Sequence, residues 1–194
     1  SSPDPNSMSS LERGSSSPAL TPAEQEALRS LPTRVVQTLV NAMEAKSLYL
    51  RGHSERVAAA AAAIAAELHL PEAMIEDIRL AGRLHDVGKI GVREEVLDKP
   101  GALNAEEFAH VREHVRIGLE ILGPLTHLGV VIDYVAHHHE RLDGSGYPNG
   151  LKGEDISLGG RILGAADVFD ALTSPRAHRK AMAAAAAIEY MATL

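Results

Sequence analysis

Apolar residues recur along this chain at helical intervals, and the stretches between them are short and rich in Gly, Pro or polar groups. Val35, Val36, Leu39, Val40 and Met43 form one such stripe, and Met74, Ile75, Ile78 and Leu80 form another on a helix begun by Pro71. Between them a helix carries Arg51-Gly52-His53-Ser54-Glu55-Arg56-Val57 and runs through the alanines 58–63 to Leu70, alanine being the strongest helix former. Asn104 with Glu107 reads as a capping box that opens a helix lasting to Leu122. Further helices are predicted from about His127, with Val130, Val131, Ile132 and Val135, over Leu158 to Leu172, and in a last Ala-rich segment running to the terminus. Val92 to Leu103 reads as a loop or short helix. No alternating pattern is strong enough for a sheet, so the fold expected is an all-α helical bundle.

Ahead of these helices, Ser1 to Leu20 are rich in Ser and Pro, and the internal Met8 marks vector-derived residues before the natural sequence. A disordered tail over 1–20 is expected to contribute nothing to function. Residues 21 to about 45 form a helical extension, begun by Thr21, Pro22 and Glu24 and divided at Pro32. Its stripe serves core packing, or else a homodimer or a link to an upstream sensor. The 194 residues suit one catalytic domain with a sizeable core. Nineteen Lys and Arg against 26 Asp and Glu, a net charge of −7, disfavour a grip on long nucleic acid but leave room for a small phosphate ligand. Cysteine is absent, which excludes disulfides, thiolate metal sites and Cys nucleophiles. No apolar run approaches the roughly 20 residues of a membrane span, so a protein acting in the cytoplasm is expected.

The chemistry concentrates in Leu80-Ala81-Gly82-Arg83-Leu84-His85-Asp86-Val87-Gly88-Lys89. An adjacent imidazole and carboxylate can hold metal, and Lys89, three residues on, offers an ammonium to an anion. His53, the run His137-His138-His139 and Asp167 supply further nitrogen and oxygen donors, and His110 and His114 share one helix face without the spacing choosing between them. A carboxylate inside the apolar helix around Asp167 is costly unless paired or bound to metal. Gathered in a fold, these groups suit two divalent ions that share a carboxylate. After Glu140, the segment Arg141 to Gly150 is a rigid Gly-rich loop, expected to hold Tyr147 beside the site and to leave backbone amides open to an anion.

His85-Asp86 with Gly88-Lys89, His138-His139 before Glu140, Gly146-Tyr147-Pro148, and Asp167 in Asp-Val-Phe-Asp-Ala-Leu-Thr together closely resemble the HD-GYP domain, a branch of the HD phosphohydrolase superfamily. The resemblance spans Leu50 to Arg179 and implies a helical bundle that hydrolyses cyclic di-GMP to linear pGpG and on to GMP. It implies His53, His85, Asp86, His114, His138, His139 and Asp167 as metal ligands, with Asp86 bridging; His114 is preferred to His110 because it stands four before Gly118. It implies Lys89 at the scissile phosphate, and Tyr147, Arg176 and Arg179 on the nucleotide. Members with a third metal carry Glu where this chain has Tyr49, so two ions are expected, iron or manganese ahead of nickel or zinc. Such a pair would acidify a bridging water for in-line attack on phosphorus. Two further departures are Ala177-His178 in place of Pro-Tyr, and an end at Leu194 one or two helices early. Competing readings are hydrolysis of another cyclic dinucleotide, such as cyclic GMP-AMP, and a slow or inactive regulatory module that binds cyclic di-GMP or a diguanylate cyclase (GGDEF) protein.

Overall fold

The structure is a computed structural model that describes residues 21, 34–47, 50–175 and 180–193. The expected tail, residues 22–33 of the helical extension, Tyr49 and residues 176–179 lie outside them. The chain divides into two units at Arg34, and every helix named here belongs, but for Arg34 itself, to the unit Val35–Leu194.

Among the described residues all regular structure is helical. Helix α1 spans residues 34–44, and α2 (His53–Glu67) and α3 (Glu72–Leu84) follow as a hairpin. Its turn is a left-handed cap with His69 at φ 56°, closed by Leu70 N–H to Ala65 O (3.1 Å) and His69 N–H to Ala66 O (2.9 Å). The two helices pack backbone to backbone, since a Cβ on Gly82 would lie 2.5 Å from the Ala58 Cα. The alanine run of α2 thus serves as a thin face as well as a helix former.

Instead of continuing past His85, the chain tightens into a 3-10 turn, Val87–Gly91. Helix α4 (Glu94–Leu97) is the short helix expected between Val92 and Leu103, and α5 (Ala105–Leu122) opens on the predicted capping box, with both Asn104–Glu107 hydrogen bonds present. Helix α6 (Val130–His137) starts three residues later than predicted, because Gly129 takes φ 50° after a 3-10 turn at Thr126–Leu128. Helices α7 (Leu158–Thr173) and α8 (Ala184–Met191) complete the bundle; α8 stops short of the terminus.

The core gathers Val57, Ile78, Leu84, Val87, Leu122, Val131, Val135, Leu163 and Ala166 from α2, α3, α5, α6, α7 and the 3-10 turn. Each large aliphatic side chain fully buried there stabilises the fold by about 1.5–3 kcal/mol. The glycines of α7 set how near α6 comes: a Cβ on Gly160 would meet the His137 Cβ at 2.6 Å, and one on Gly164 the His138 carbonyl at 2.5 Å. Gly in a helix costs roughly 0.5–1 kcal/mol relative to Ala; here it brings the end of α6 against the helix that carries Asp167.

Two side chains at the end of α1, Glu44 and Lys46, fasten neighbouring segments. Glu44 accepts from the backbone N–H of Gly52 (2.8 Å) and Ser54 (3.2 Å), capping α2 at His53. Lys46 Nζ donates to the carbonyls of Ile90 (2.7 Å) and Val92 (2.5 Å) at the end of the 3-10 turn.

Candidate metal centre

Each helix delivers its polar residue at an end or on an inward face. His53 is the first residue of α2, His85 caps α3, Asp86 follows it, His114 is the buried face of α5, His138 caps α6, and Asp167 lies within α7. The helix ends and inward faces converge. His53 Nε2 lies 3.2 Å from Asp86 Oδ2 and 3.4 Å from Asp167 Oδ1, while His85 Nε2 lies 3.4 Å and 3.9 Å from the same two oxygens. His114 Nε2 approaches the other Asp86 oxygen, Oδ1, at 3.5 Å. The imidazole centroids of His138 and His139 are 4.0 Å apart, and those of His114 lie 5.6 Å and 5.1 Å from them.

Two groups of donor atoms able to hold a cation result: His53, His85 and Asp86 in one, His114, His138 and His139 in the other, with the donor atoms of each group within 4.8 Å of one another. His110, which shares its helix face with His114, is not among them; its Nε2 accepts from the Arg93 backbone N–H at 3.1 Å. His137, first of the histidine run, turns to Ser157 instead, at 3.0 Å.

The tautomers are set by the backbone. Nδ1 of His85, His114 and His138 donates to the carbonyl three residues earlier, on Gly82 (2.8 Å), Val111 (2.6 Å) and Val135 (2.6 Å). With the proton on Nδ1, the Nε2 lone pair points into the site. His85 Nε2, His114 Nε2, His138 Nε2 and Asp86 Oδ1 are all buried with no hydrogen-bond partner. Orphaned buried acceptors are costly, about 1–3 kcal/mol each, and a divalent cation is the ligand that satisfies bare imidazole nitrogen and carboxylate oxygen together. The donor set therefore fits a divalent ion.

Electrostatics agree with that fit at the second group of donors. Burial pushes the His114 and His138 imidazoles down and the His139 imidazole to about 3, so all three are neutral donors. For Asp86, burial acts upward, but His85, Lys89 and His53 hold the carboxyl well below the usual range. Burial also pulls His53 down, yet the hydrogen bonds it donates to Asp170 and Asp86, with the charge of Asp167, carry it up to about 9, so a cation held by His53 must displace a proton from it. Lys89 Nζ sits 2.5 Å from Asp86 Oδ2 at the edge of the cluster, 18% exposed.

Asp170 was not foreseen as part of the site. It accepts from His53 Nδ1 at 2.8 Å and is held by Arg56 through Nε at 2.6 Å, so a carboxylate fixes the orientation of the first histidine. Its place one turn after Asp167 on α7, on the same helix face, was the available signal. Asp170→Asn should weaken metal affinity about 10–100-fold, read by titrating metal into stripped protein; unchanged affinity would remove Asp170 from this role.

Tyr147 stacks on His139 with centroids 4.7 Å apart, so the Gly-rich loop does rim the site. Several amides of the loop and its edge are already engaged within the protein. Glu140 accepts from Asn149 N–H (2.7 Å) and Leu151 N–H (3.0 Å), Asp143 from Ser145 N–H (2.9 Å), and the His139 carbonyl from Tyr147 N–H (3.1 Å). Glu140 and Asp143 thus take two of the amides that the expectation left to an anion, on Asn149 and Ser145, and a third at the loop's edge, on Leu151. Arg176 and Arg179 lie outside the described residues.

Buried imidazoles and carboxylates contributed by separate helices of a bundle define an all-α metal-binding domain. The chain belongs to the HD domain family, whose model matches residues 37–193. A 3'3'-cGAMP-specific phosphodiesterase of Vibrio cholerae is 42% identical over 154 residues, 78% of this chain and 30% of that protein. A cyclic di-GMP phosphodiesterase of Pseudomonas aeruginosa is 44% identical over 145 residues (74% and 35%), and one of Thermotoga maritima 40% over 149 (75% and 40%). The chain thus spans about a third of the length of the curated relatives it matches. Among solved structures, Bd1817, an HDG"Y"P protein from Bdellovibrio bacteriovorus, shares the fold with a TM-score of 0.62 at 22% identity, over 76% of this chain and 47% of that one. No helix among the described residues is long and apolar enough to cross a membrane.

Proposed function

We propose that this domain is a metal-dependent phosphodiesterase that opens cyclic di-GMP to linear pGpG and onward to GMP, acting in the cytoplasm with two divalent ions, iron or manganese ahead of nickel or zinc. The observation that carries the reading is the placing of Asp86: Oδ2 faces His53 and Oδ1 faces His114, so one buried carboxylate stands between the two donor groups. On this reading His53, His85, Asp86, His114, His138, His139 and Asp167 hold the ions. Bound there, divalent ions supply an acidified water for attack and positive charge for the phosphoryl oxygens.

The chain's own residues bind and orient. Lys89, held by Asp86 at the edge of the cluster, presents an ammonium to a non-bridging phosphate oxygen, where charge grows as phosphorus is attacked. Lys89→Met should lower kcat about 10²–10³-fold, the usual loss for one such donor, with metal content retained; loss of metal in that variant would make Lys89 a structural partner of Asp86. Burial, reinforced by Asp86 and Asp167, raises the Tyr147 phenol, which stays protonated and donates to the nucleotide. Arg176 and Arg179 complete the nucleotide contacts. A GGDEF diguanylate cyclase and a second copy of the chain are the protein partners on this reading.

A second substrate, 3'3'-cGAMP, is supported by relatives named for it at 40–43% identity. Purified protein loaded anaerobically with Fe²⁺ or Mn²⁺ should contain two ions per chain and convert cyclic di-GMP to pGpG on chromatography. Conversion of 3'3'-cGAMP alone would move the substrate, and tight binding without product would leave a regulatory module.

A further inference from the structure

His138 and His139 also line a cavity of about 730 Å³, a size typical of small-molecule sites. Part of its wall is apolar, with Ile156, Val168 and Met191. Besides Arg141 of the loop, which lies 4.0 Å from Asp143, two guanidinium groups line it, Arg112 from α5 and Arg161 from α7. Neither has a carboxylate partner among the described residues, whereas Arg56, Arg79, Arg83 and Arg116 each hold one. In a chain of net charge −7, two arginines without carboxylate partners bring positive potential to a cavity whose own carboxylates, Glu140 and Asp143, are engaged by loop amides.

Arg112 is also placed by aromatic contacts. Its guanidinium carbon sits 4.5 Å over the Tyr147 ring, which in turn stacks on His139 at 4.7 Å. The stack fixes the plane of the guanidinium and leaves its N–H groups without an acceptor, the arrangement that favours bidentate binding of a phosphate. A cyclic dinucleotide carries two phosphodiesters, and only one can lie over the donor cluster. The other must lie nearby, on the same side as the cavity that His138 and His139 share.

We infer that Arg112 and Arg161 bind the second, non-reacting phosphodiester of a cyclic dinucleotide, so that the cavity selects substrates with two phosphates over simple phosphodiesters. This rests on the phosphodiesterase reading and adds to it the source of substrate choice.

The test compares Arg112→Ala, Arg161→Ala, Arg161→Lys and the double alanine variant on cyclic di-GMP and on bis(4-nitrophenyl) phosphate, which has one phosphodiester. Each alanine variant should lose about tenfold in kcat/KM on cyclic di-GMP, chiefly through KM, a typical loss for one charge-assisted contact. The loss on the single diester should be several-fold smaller, and Arg161→Lys should recover part of the activity because it keeps the charge. Equal losses on both substrates, or unchanged KM for cyclic di-GMP, would overturn the inference. If the wild-type protein turned over neither cyclic dinucleotide, the phosphodiesterase reading would fail by itself. Calorimetry with cyclic di-GMP would then decide the subsite: weaker binding by the double variant supports it, and unchanged or absent wild-type binding overturns it.

Discussion

Asp86→Ala is expected to leave the protein without retained divalent metal, as read by elemental analysis after desalting. This carboxylate is almost wholly buried, and its two oxygens face different histidines. It is also the counter-charge that holds Lys89 and one of the groups raising His53. Removing it deletes the carboxylate that faces histidines of both donor groups and leaves a buried cluster with less negative charge, so metal binding loses twice. Asp86→Asn preserves the shape and should still lose most of the metal, because a neutral amide is a far weaker ligand for a hard divalent ion. Full occupancy in the alanine variant would refute the assignment of the centre.

Gly88→Ala should be the most destabilising small change in the chain. A Cβ on Gly88 would lie 1.8 Å from the His114 carbonyl oxygen and 2.5 Å from the Gly118 nitrogen. Both are backbone of α5, and neither can rotate away, so the helix itself must move and take His114 with it. Overpacking of this kind costs about 3 kcal/mol or more, a fall in melting temperature of about 6–12 °C for a domain of this size. Gly118→Ala is the control: its Cβ would meet Gly88 N at 3.4 Å, an ordinary contact, and should change stability by less than about 1 kcal/mol. A wild-type melting curve for Gly88→Ala would contradict the close packing described.

Helix positions were legible because their signals are local. The capping box at Asn104, the 3.6-residue stripe of α3 and the alanine run of α2 each depend on a few neighbouring residues. A helix start set by backbone conformation was less so: Gly129 delays α6. Of the candidate site, the histidines and acids were visible as residue types, and the family pattern chose His114 over His110 where spacing did not. Orientation was not visible. That Asp170 steers His53, that backbone carbonyls fix Nδ1 of three histidines, and that Glu140 fills the loop's amides are long-range or geometric facts. Which loop amides would be taken was not visible either, since composition shows how many donors a loop has and not which acceptor the fold brings to them.

Glu44 and Lys46 lie two residues apart, yet one caps the helix that starts with His53 and the other grips the turn that carries Lys89. The end of α1 therefore works as a yoke across both halves of the chemistry. A twist or pull applied to that helix from its N-terminal side reaches the first histidine and the lysine together, by hydrogen bonds, without travelling through the apolar interior.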